Sequence, residues 1–131
     1  MAKKRISRTS LAPAAVQDLR EVLRWSEQNF GESAAKRYRA LIKQAMRDIG
    51  ESPERPGSKE RPEIMVPGAR TYHISLSRSR SSGPGVKEPR HFLLYRRRAD
   101  GMIEVARILH DGRDLQRHLP EDYRPGDTPS R

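Results

Sequence analysis

HFLLYRRRADGMIEVARILH, residues 91–110, decides the fold. Residues 91–98 are an apolar run that ends in Arg96, Arg97 and Arg98, and residues 102–109 alternate through Ile103 and Val105, with Arg107 next in the series. Asp100-Gly101 between them supplies the unusual backbone angles of a tight turn, so the two runs read as an antiparallel strand pair. Alternation sets Arg96 and Arg98 on one face of their strand and Arg97 on the other.

Upstream, residues 69–77 (ARTYHISLS) read as a further strand, with Tyr72, Ile74 and Leu76 on one face. The stretch of about 78–90, rich in Ser, Gly, Pro and Arg, is too long for a tight hairpin and is expected to be a mobile basic loop. Further back, GESPERPGSKERP cannot continue a helix. Before it lie two helical patterns. From Pro13, suited to a first turn, Val16, Leu19, Leu23 and Phe30 recur on one narrow face. From about Ser33 to Ile49, Tyr38, Leu41, Ile42, Ala45, Met46 and Ile49 form a stripe with the cations outside it. Gly31 sits in the short joint, so the helices should pair as an antiparallel hairpin. Residues 5–11 fit a short first strand. The expected class is α+β: a helical hairpin packed on a small, mainly antiparallel sheet, in the order strand-helix-helix-strand-strand-strand. One domain is expected over residues 1–120, with 121–131 as a flexible tail.

Composition narrows the functions. Without cysteine there is no disulfide framework and no thiolate chemistry. No apolar run approaches the roughly 18 residues of a membrane span, and no apolar stretch follows the basic start, so a cytoplasmic chain is expected. The net charge of +10 favours an acidic partner, whether nucleic acid or an acidic protein segment. SGPGVK lacks the Gly-Lys-Ser/Thr ending of a phosphate-binding loop. Trp25 falls nearly opposite the first helix's stripe. It is expected to pack, with Val22, against a second layer rather than to form an exposed hot spot.

The blocks LAPAAVQDLREVLRW, FGESAAKRYRALIKQAMRDIGESPERPG, PGARTYHIS and HFLLYRRRADGMIEVARILHDGRDLQRHL resemble, in order and spacing, the ParE branch of the RelE/ParE toxin superfamily over most of residues 6–119. The most specific piece is the ending, Leu109-His110, Arg113-Asp114-Leu115 and Arg117-His118-Leu119. The resemblance implies the toxin half of a type II toxin–antitoxin pair. Such a toxin would trap DNA gyrase on cleaved DNA by protein contact. A ParD-like antitoxin with an acidic C-terminal segment would neutralise it in a hetero-oligomer, and no cofactor is implied. The chain departs from the family pattern in the enlarged segment SRSSGPGVKEP, best read as an inert surface insertion.

Residues 105–120 hold most of the groups able to do chemistry. Related RelE-type toxins cut messenger RNA on the ribosome. In that alternative His110 or His118 would be the base and Arg107 or Arg113 the phosphate ligand. Leu119 and Pro120 follow His118, where those relatives typically offer a tyrosine, which argues against cleavage. His110 and His118 with Asp111 and Asp114 match no metal-ligand spacing. The segment is therefore read as a docking element in which Arg107, His110, Arg113, Asp114, Arg117 and His118 meet the target. Arg96, Arg98 and Arg107 are expected to meet the antitoxin's acidic tail, which would lie over the groove between helices and sheet.

Overall fold

The computed structural model describes residues 8–64, 66–81 and 85–112. Strand β1 (Thr9–Leu11) leads into helix α1 (Pro13–Phe30), and α2 (Glu32–Glu51) returns antiparallel to it. Strands β2 (Lys59–Glu60) and β3 (Arg70–His73) follow, then a 3-10 helix (Ile74–Arg80), β4 (His91–Arg97) and β5 (Ile103–His110). The sheet has five strands in the order β1-β5-β4-β3-β2. Only β1–β5 is parallel, and the other pairings are antiparallel. The α+β class and the helical hairpin on a mainly antiparallel sheet are as expected, with β2 as an unforeseen fifth strand. Among the described residues no helix is long and apolar enough to cross a membrane.

Core and stripe agree on α2. Leu41, Ile42, Ala45, Met46 and Ile49 are all buried, against Tyr72, Leu93, Tyr95, Ile103, Val105 and Ile108 of the sheet. Side chains of this size stabilise by roughly 1.5–3 kcal/mol each when removed from water. On the opposite sheet face Ile64, Val66 and Ala69 of the β2–β3 region cover Leu94 and Ala106.

On α1 the expected face is rotated. The buried positions are Ala15, Asp18 and Ser26, with Leu19 and Val22 packed beside them. Trp25 and Phe30 are not core: they are 55% and 66% exposed and meet edge to face, with ring centroids 5.4 Å apart. Two polar residues on the buried face, Asp18 and Ser26, removed it from an apolar reading. Among the described residues there is no second layer over Trp25.

The strand expected over 69–77 stops at His73. The His73 imidazole accepts the Ser75 N–H and caps the 3-10 helix. Beyond it Ser77 donates to the fully buried Asp48 carboxylate, Tyr72 donates in turn to Ser77, and Arg80 and Gln44 reach the other Asp48 oxygen at 3.0 and 2.9 Å. Leu76 therefore leaves the strand face and is 46% exposed. Of the segment expected to be a loop, Arg78 to Arg80 belong to this helix, Arg78 also donates to the Val86 and Lys87 carbonyls, and 82–84 lie outside the described residues.

In β5 the alternation breaks. Leu94 pairs with Arg107 but Tyr95 with Val105, so Ala106 is an extra residue, a β-bulge. The core-facing series runs Ile103, Val105, then Ile108, and not through Arg107. The bulge also turns His110, the cross-strand partner of His91, toward the end of the sheet that α2 covers.

Candidate functional site

Past the bulge, β5 extends beyond the three-residue β1, and its outer edge would carry an unpaired N–H. Asp18 of α1 closes it. Its carboxylate accepts the Ile108 N–H at 2.9 Å and takes the Arg107 fork, Nε to Oδ2 at 2.6 Å and Nη2 to Oδ1 at 2.9 Å. The hydrogen bonds to Asp18 outweigh burial and raise the Arg107 pKa above its ordinary value, so the guanidinium keeps its charge. Arg107, expected to meet target and antitoxin, is 18% exposed and clamps α1 to β5.

Three of the four histidines gather at the adjacent end of the sheet, where β4 begins and β5 ends. The Tyr38 hydroxyl, from α2, accepts the Arg90 N–H at 2.9 Å and shares a hydrogen bond with His91 Nδ1 at 2.7 Å. Burial pushes the Tyr38 phenol up, partly opposed by that Arg90 N–H, so it stays protonated. The His91 and His110 rings meet edge to face, centroids 5.4 Å apart. Asp111, in the turn after β5, accepts from His73 Nε2 at 3.0 Å and from Arg90 Nε at 3.2 Å. Burial works against the Asp111 charge, but the His73 and Arg90 hydrogen bonds prevail and hold its carboxyl below the usual carboxylate range.

The chemistry follows from where the protons sit. The Gly112 N–H donates to His110 Nδ1 at 3.0 Å, so the neutral ring carries its proton on Nε2. His73 has the same tautomer, since Nδ1 accepts from Ser75 and Nε2 donates to Asp111. The side chain of His110, 43% exposed, thus offers solvent a donor rather than a base. Arg90, 57% exposed, is the cation beside it. The surface is suited to binding acceptor groups. Among the described residues no three histidine, aspartate or glutamate side chains are placed to hold a metal ion.

Of the residues singled out in sequence, His110 lies in this cluster and Arg107 supports it from α1, while Arg113, Asp114, Arg117 and His118 lie outside the described residues. Arg96 and Arg98 are at the far end of β4. Arg96 pairs with Glu104 at 3.1 Å, and Arg98, 45% exposed, pairs with Asp100 at 3.1 Å. Missed were Asp18, Tyr38, His73, Arg90 and His91. Helix packing and strand register bring these to their partners across 21 to 90 residues of chain, and no local spacing encodes that. The single local clue was Asp111-Gly112 directly after the last strand.

Residues 10–115 match the family model described as ParE toxin of type II toxin-antitoxin system, parDE. A search of curated proteins found no match. The family match covers most of the chain, which therefore belongs to the ParE toxin family.

Proposed function

We propose that this member of the ParE toxin family poisons DNA gyrase by protein–protein contact in the cytoplasm and is silenced by a cognate antitoxin with an acidic C-terminal segment. The docking end is the sheet terminus that carries His110 and Arg90, continued by Arg113, Asp114, Arg117 and His118. The antitoxin's carboxylates meet Arg98 and Arg96 at the β4–β5 turn, exchanging with Asp100 and Glu104. Arg107, committed to Asp18, serves the scaffold in this reading.

The observation that carries the choice of contact over catalysis is the Gly112 N–H on His110 Nδ1. A ribosome-dependent nuclease needs a free basic nitrogen facing the 2′-hydroxyl. At His110 that nitrogen faces its own backbone, and the outward nitrogen carries a proton.

Two reactions run in parallel test this. Folded chain is incubated with gyrase, ATP and relaxed plasmid, then treated with detergent and protease. The same chain is added to ribosomes translating a defined message. Linear plasmid with an intact message is expected. A cleaved message without linear plasmid would transfer the function to the RelE-type alternative, with His110, Arg113 and His118 as its catalytic candidates.

A further inference from the structure

The outer face of α2 carries a line of cations that neither the core nor the sheet-end cluster uses. Lys36, Arg39, Lys43 and Arg47 are all exposed and recur at steps of three, four and four residues, on the side away from Leu41, Ala45 and Ile49. The line is about 16 Å long at roughly 1.5 Å per residue. Its acidic neighbours are few, and Glu27 of α1 and Glu32 line the groove beside its turn end. Glu32 lies 4.0 Å from Lys36 at the turn end, and Asp48 is buried and bonded to Ser77, Arg80 and Gln44. Arg39 and Lys43 make no ion pair among the described residues. Arg20 and Arg24 of α1 line the far wall of the groove beside Lys36 and Arg39.

Two acidic partners compete for this surface. An amphipathic acidic peptide would need apolar anchorage along the whole line. Val16, Leu19, Leu23 and Ala35 give it some in the groove between α1 and the first turns of α2. The line runs on past the groove to Lys43 and Arg47, where the neighbouring outward positions are Ala40 and Gln44. Exposed pairs alone add little to a protein contact. A phosphodiester backbone differs, because counterion release turns plain surface charge into affinity.

We propose that the outer face of α2 is a binding site for the phosphodiester backbone of duplex DNA, formed by Lys36, Arg39, Lys43 and Arg47 and flanked by Arg20 and Arg24. The site is independent of sequence. Its setting rests on the gyrase reading above: it lets the toxin hold the DNA segment on which its target works, at a surface separate from the sheet-end docking cluster.

The test is fluorescence anisotropy of a labelled duplex of about 20 base pairs with the folded full-length chain, across a salt series. Four phosphate contacts predict a slope of log affinity on log salt of about −3.6. Lys43→Glu with Arg47→Glu should bring the slope to about −1.8 and weaken binding at least tenfold at low salt, with thermal unfolding unchanged. Lys59→Glu, an exposed reversal in β2, is the control and should have much the smaller effect. Absence of binding at low salt, or a double reversal no more harmful than Lys59→Glu, overturns the site. So does a chain that ignores DNA but binds an acidic amphipathic peptide through Lys43 and Arg47. Plasmid linearisation without DNA binding would remove this site and leave the gyrase reading standing, and DNA binding without linearisation would do the reverse.

Discussion

At the residue scale, Asp18 fastens the first helix to the last strand. It satisfies the Ile108 N–H, neutralises Arg107 and joins α1 to β5. Asp18→Ala leaves a mostly buried guanidinium without its carboxylate, and losses of that kind are roughly 3–5 kcal/mol. Urea unfolding should show a destabilisation near the lower end of that range, since Arg107 keeps some contact with water. A change under 1 kcal/mol would mean that the clamp is incidental. Asp111 makes a second, pH-dependent contribution. Its folded pKa is lowered, so its stabilisation is present above the ordinary carboxylate range near pH 4 and is lost as pH falls through the folded value. Between pH 7 and pH 3, Asp111→Asn should lose less stability than the unaltered chain; equal losses would contradict the assignment. Neither role could be read from sequence. An aspartate on a helical face reads as solvent-facing, and only the register of β5 beyond the end of β1 shows what Asp18 completes.

At the scale of elements, α2 was legible from one clean apolar face, β4 from its unbroken apolar run and β5 from the alternation that follows the Asp100-Gly101 turn. Pattern failed where a polar contact redirects the chain. His73 caps the 3-10 helix through Ser75, and Asp48 then gathers Ser77 and Arg80, which ends β3 four residues earlier than alternation suggests. Ala106 similarly breaks the count in β5, and an alanine gives no warning of a bulge. The hairpin joint was legible, since Gly31 stands at φ 95° and ψ 169°, a region almost confined to glycine. Gly31→Ala has open space for its methyl group, so the cost is backbone strain of about 1–3 kcal/mol. Tyr38→Phe deprives the Arg90 N–H of its acceptor and His91 Nδ1 of the hydroxyl it bonds. A loss of about 1–3 kcal/mol is expected, together with faster amide exchange at Arg90. Unchanged exchange there would mean that α2 does not fasten the start of β4.

At the scale of the molecule, the helices and sheet form a scaffold whose polar contacts converge where β4 begins and β5 ends. The residues most suggestive in sequence, Arg113 to His118, directly follow Gly112. Net charge pointed to an acidic partner without locating the surface, because charge carries no position until helix phase and strand register assign one. The most direct measurement compares the full chain with a chain ending at Gly112, both shown to unfold cooperatively, for linear plasmid formed by gyrase after detergent and protease. Linear DNA from the full chain and none from the shorter one is the predicted result. Equal linear DNA from both would contradict it, and would move the gyrase contact onto the scaffold itself.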